Sequence, residues 1–93
     1  MPIFLVEREL PGITLEQLAA AQKAAIAAGL ELTASGIPVR YIRSMFVPGD
    51  SRCMCLFEAP NAENVRTANL RAQIPFTRIV AALDLTPVEP ASS

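Results

Sequence analysis

The amino-acid pattern predicts an α+β domain of β-α-β-β-α-β order, with an antiparallel four-stranded sheet and two helices on one face. Three observations carry this expectation. Four short runs rich in β-branched, aromatic and aliphatic residues are interleaved with two segments whose apolar residues recur three and four apart. Each of those two segments opens on a helix-start signal. The middle two runs are separated by Pro48-Gly49-Asp50-Ser51, which is hairpin punctuation and too short for a crossover.

The first run, Ile3-Phe4-Leu5-Val6, is followed by Glu7-Arg8-Glu9 and stopped by Pro11-Gly12, and it reads as the first strand. Thr14 then opens a capping box with Gln17, and Ile13 and Leu18 stand where a hydrophobic staple would hold the chain entry. The spacing predicts a first helix whose buried stripe is Leu15, Leu18, Ala19, Gln22, Ala25, Ile26, Gly29, Leu30 and Thr33, with Gly36 just past its end. Gly29 is read as internal, because Leu30 continues the stripe and one helical glycine costs about 1 kcal/mol.

Pro38 blocks further helix, and Val39 to Val47 is β-branched and aromatic enough for a second strand. After the turn, Arg52 to Ala59 returns as the third strand. Asn61 caps a second helix with a stripe of Val65, Ala68, Asn69 and Ala72, and Ile74-Pro75 ends it, since a residue before proline avoids the helical region. Arg78 to Leu85 is the fourth strand. Residues 86–93, with Pro87 and Pro90 and no pattern, read as a flexible tail to a single domain over residues 1–85. Parallel crossovers between strands of one sheet are right-handed, so this order places both helices on one face and is the split βαβ, or ferredoxin-like, arrangement. The other face is left bare.

Ninety-three residues suffice for one hydrophobic core and not for two. At 52% hydrophobic and 18% charged, the chain is more apolar than an average domain, which points to a subunit interface or a lined pocket. A net charge of -1 offers no field for phosphate backbones or anionic lipid, so nucleic acid and membrane are not expected partners. No run approaches the roughly 20 apolar residues of a membrane span, and the start lacks a basic targeting region, so a cytoplasmic protein is expected.

A turn centred on Gly49-Asp50 pairs odd positions with even ones and divides the hairpin side chains into two sets. Ile42, Ser44, Phe46, Cys53, Cys55 and Phe57 suit the helix side. Tyr41, Arg43, Met45, Val47, Met54, Leu56 and Glu58 then occupy the bare face. Leaving that apolar surface in water is unusual for a monomer, so a homodimer through the open sheet face is expected.

Tyr41, Arg43 and Glu58, with Glu7 as a further member, form the candidate ligand-binding cluster, because arginine presents a planar fork of donors to a small anion and tyrosine a directed hydroxyl. The alternative is an ordinary cross-strand ion pair at a subunit boundary. Cys53 and Cys55 supply two soft ligands, but two are not a site, and the chain contains no histidine, so plain core cysteines are the simpler reading. Met45 and Met54 are packing residues, Glu7 and Glu9 near the end of the first strand are potential carboxylate ligands or bases although acids there are usually solvated, and Asn64 and Asn69 have no acid–base partners. No phosphate loop, Ser-His-Asp set or paired-acid motif is present.

Tyr41-Ile42-Arg43-Ser44, Cys53-Met54-Cys55-Leu56-Phe57-Glu58-Ala59-Pro60 and Pro75-Phe76-Thr77-Arg78-Ile79 together resemble a bacterial family of small ferredoxin-like domains that includes a nickel-binding branch. The resemblance covers nearly all of residues 2–85 and implies a ferredoxin-like homodimer. It also implies a metal or small-ligand module as the function. Metal-binding relatives carry histidine at the position of Arg43 and near Ala68 or Asn69, where this chain has none. Glu7, Tyr41 and Cys55 offer oxygen and sulfur donors for a different site. The second reading is a small dimeric enzyme of monooxygenase or isomerase type, acting on an organic substrate between sheet and helices.

Overall fold

The computed structural model describes residues 1–85 and Pro87. Its elements follow the expected order: β1 (Ile3–Glu9), α1 (Leu15–Ala34), β2 (Arg40–Val47), a 3-10 turn (Pro48–Asp50), β3 (Arg52–Glu58), α2 (Ala62–Ala72) and β4 (Arg78–Ala82). The strands lie in the order β2-β3-β1-β4, every neighbour antiparallel. This is the ferredoxin-like arrangement. The tail expected over residues 86–93 lies outside the described residues, apart from Pro87.

Local chemistry explains the boundaries. Thr14 accepts from the Gln17 amide while the Gln17 side chain accepts from the Thr14 amide, each at 3.0 Å, so two orphan donors are satisfied reciprocally. At the far end Gly36 adopts φ +92°, which lets its amide reach the Thr33 carbonyl and the Ile37 amide reach Leu32. This paired closure needs a left-handed residue that glycine supplies without strain. Asn61 caps α2 by accepting from the Asn64 amide, and Gln73 ends it in the left-handed region.

The core gathers Phe4 and Val6 of β1, Cys53, Cys55 and Phe57 of β3, Leu32 of α1 and Val65 and Ala68 of α2. The face that α1 buries overlaps the expected one at Leu18, Ala25 and Gly29 but leaves out its larger residues. Ala25, Ala28, Gly29 and Leu32 are buried, while Leu15, Ile26 and Leu30 are 81%, 42% and 68% exposed. Small residues win because α1 crosses the sheet closely: a Cβ on Gly29 would stand 3.2 Å from the Val39 carbonyl oxygen. The alanine-rich helix is apolar on most sides, so spacing alone does not single out the inward face.

The hairpin register pairs odd with even from Val47↔Arg52 to Arg43↔Leu56, as the turn requires. A bulge then intervenes, and Tyr41 pairs with Phe57 and Arg40 with Glu58. An extra residue on one strand moves everything beyond it to the opposite face. Tyr41 therefore leaves the bare face and packs edge-on against Phe57, with ring centroids 5.5 Å apart.

Candidate functional site

The four residues expected to form one ligand cluster are not brought together. On the open face Arg43 pairs with Asp84 of the segment after β4, not with Glu58. Glu58 instead takes Arg40 at 3.1 Å, with the amino terminus at 4.0 Å. Glu7 bridges the edges of its neighbours, meeting Arg78 of β4 and Arg52 of β3. These are surface pairs with solvent-exposed arginines, each worth about 0–1 kcal/mol. They rim an apolar patch of Leu5, Met45, Met54 and Leu56, in which Met45 is 68% exposed.

Tyr41 lies on the other side of the sheet, where a cavity of about 280 Å³ opens between α1 and strands β2 and β3. Its apolar wall includes Leu15, Leu18, Phe46 and Ile74. A chain of hydrogen bonds runs along its length. The Gln22 amide donates to the Tyr41 oxygen at 2.9 Å, and Tyr41 and Ser44 are joined at 2.6 Å. Because the Ser44 hydroxyl donates to Cys55 Sγ at 2.9 Å, Tyr41 is the donor to Ser44. The Cys55 and Cys53 sulfurs then stand 3.8 Å apart. Cys53 and Cys55 are its buried end, while Gln22 and Ser44 are exposed at the mouth of the cavity.

The floor of the cavity is Arg8, whose side chain follows Phe4 and Val6 to the inward face of β1 and is 2% exposed as a residue. It donates to Asn69 Oδ1 at 2.8 Å and to the Pro75 carbonyl at 3.2 Å. Asn69, itself fully buried, is oriented by donating its amide to the Val65 carbonyl at 2.8 Å. Desolvating a guanidinium costs several kcal/mol. Two charge-assisted bonds to neutral acceptors return about 1.5–3 kcal/mol each, so the cation is held with little surplus.

Burial, followed by the adjacent Cys55, pushes the Cys53 thiol up from 9.0 to about 11, against a weaker downward pull from Arg8. Near neutral pH the thiol is protonated, so it does not neutralise the arginine.

Nickel, implied by the resemblance, prefers imidazole or thiolate donors. The chain has no histidine, and among the described residues no three cysteine or carboxylate side chains converge. Glu7 is on the open face while Tyr41 and Cys55 are on the inner one, so that alternative donor set is not assembled either. The described residues of one chain do not fit a nickel ion.

Reading the sequence alone missed Arg8, Asn69, Gln22 and Ser44 as functional candidates. The signal for Arg8 was present in the Phe4, Val6, Arg8 alternation, which places a charge where a core residue belongs.

Comparison with known proteins agrees with the fold. No curated protein matches the chain. The crystal structure of SCO4226 from Streptomyces coelicolor A3(2) superposes with a TM-score of 0.74 at 26% identity, covering 91% of this chain and 99% of that one. The profile of the family described as nickel responsive protein SCO4226-like matches residues 4–81. On that match, which spans both helices and nearly all of the sheet, the chain belongs to the SCO4226-like family of nickel-responsive proteins.

Proposed function

We propose that the protein is a cytoplasmic, homodimeric binding module that takes a small organic ligand into the cavity between α1 and the sheet. The observation that carries this reading is the cavity itself, an apolar cleft open to solvent on one side, with Gln22, Tyr41, Ser44 and Arg8 as polar residues in its lining. Ligand sites are built in this way, with apolar walls for affinity and a few placed polar groups for orientation. Among the described residues the lining contains no carboxylate or imidazole to act as a base, which favours binding over turnover. Binding is tested by native mass spectrometry of freshly purified protein. A small-molecule adduct lost on denaturation supports the reading, and a series of bare chains under gentle conditions contradicts it.

The dimer part of the reading rests on the patch of Leu5, Met45, Met54 and Leu56 on the open face. Covering it against a second sheet would bury apolar area on both partners, each Å² contributing roughly 25 cal/mol. Replacing Met45 with aspartate would put an unpaired charge into that contact, an arrangement costing several kcal/mol. Light scattering should show the wild type as a dimer and Met45→Asp as a monomer at micromolar concentration. A monomeric wild type contradicts the dimer without touching the cavity, which lies on the other side of the sheet.

A further inference from the structure

We infer that the ligand of the cavity is a small monocarboxylate with an apolar body, anchored by Arg8. This rests on the reading of the cavity as a binding site and adds the chemical class of what it holds. The argument begins from a contrast among the arginines. Arg40, Arg43, Arg52, Arg71 and Arg78 each have a carboxylate partner, and all of them are exposed. Arg66 lies over the Phe76 ring, 5.5 Å from its centroid. Arg8 is the buried one, and among the described residues no carboxylate lies within ion-pair distance of it.

Arginine stays charged in proteins, so Arg8 has no option of shedding its proton to become compatible with the interior. Its acceptors Asn69 Oδ1 and the Pro75 carbonyl are neutral, and it also hydrogen-bonds the Cys53 thiol. The neighbouring Cys53 is held protonated by burial, which removes the nearest internal source of negative charge. A guanidinium presents five N–H donors in a fixed fork, and Arg8 is part of the cavity lining. A carboxylate is the group whose two oxygens match that fork.

The remainder of the site limits the rest of the ligand. One cation with no second basic side chain in the lining suits a single negative charge and not a phosphate dianion. Leu18, Phe46 and Ile74 require an apolar body, and a cavity of about 280 Å³ limits it to a small one. The hydroxyls of Tyr41 and Ser44 lie along the wall and can receive a polar substituent.

The test is calorimetric titration with hexanoate and with hexanamide, its neutral counterpart of nearly the same shape. Wild-type protein should bind hexanoate at least about tenfold more tightly, equivalent to about 1.4 kcal/mol. Arg8→Met should abolish the preference, and Arg8→Lys, which keeps charge without the fork, should retain part of it. If Arg8→Met does not fold, the wild-type comparison and Arg8→Lys decide. Equal affinity for the acid and the amide in wild-type protein overturns the carboxylate inference and leaves the cavity reading standing. Failure of both compounds to bind overturns the inference, and the cavity reading is then judged by its own adduct measurement. An unchanged preference in folded Arg8→Met also overturns it, because the acid would then be held elsewhere.

Discussion

Replacing Phe57 with alanine should cost about 3–5 kcal/mol, the largest loss expected from any single truncation in the chain. Phe57 is fully buried in the central strand β3, where it pairs with Phe4 of β1 on one side and Tyr41 of β2 on the other. Its ring supports both neighbours and receives the edge of Tyr41. Three strands meet at this one position, so the surroundings have little room to collapse into the void. A domain of this size has roughly 5–15 kcal/mol of stability, and the substitution removes a large share of it. Urea unfolding followed by circular dichroism should place the midpoint far below that of the wild type. A change under about 1 kcal/mol would show that the β3 centre is not the keystone described here.

Asn69→Ala should cost about 2–3 kcal/mol, through electrostatics and not through volume. It removes the acceptor at 2.8 Å from Arg8 and the donor to the Val65 carbonyl together. A hydrogen bond to a charged group accounts for about 1.5–3 kcal/mol, and a cation left with one neutral acceptor is the costly half of the change. Asn69→Asp separates charge from shape. It sets a carboxylate against Arg8, so it should be less destabilising than alanine, and it should weaken hexanoate binding because the cation is then satisfied from within. Unfolding midpoints of the two variants, with hexanoate titration of the aspartate form, check both statements. Equal destabilisation by alanine and aspartate would mean that Asn69 matters for its amide donor alone.

Much of the architecture was legible because its signals are local. The Thr14–Gln17 box, the Asn61 cap, Gly36 and the Pro48-Gly49 turn each act within a few residues, and each lies where the structure uses it. The candidate cluster was less legible, since it depended on which face each strand residue takes. The bulge between Tyr41 and Arg43 carries no glycine or proline, so nothing in the sequence announces the shift that sends Tyr41 to the inner face. Ion-pair partners were misjudged for a related reason. Arg43 meets Asp84, 41 residues away, through a loop whose course strand pairing alone does not set. On α1, alanine on most faces hid the inward direction, which the close approach at Gly29 decides. Arg8 was overlooked because the apolar run stops at Val6, although the strand continues to Glu9.

The measurement that bears most directly on the cavity as the binding site is a ¹H–¹⁵N correlation spectrum recorded during titration with hexanoate. The account predicts shifts at the amides of Gln22, Tyr41, Ser44 and Cys55 and at the Arg8 side chain, with the open-face residues Arg43, Met45 and Glu58 unmoved. Shifts confined to Arg40, Arg43 and Glu58 would contradict it, since they would place the ligand on the outer sheet face.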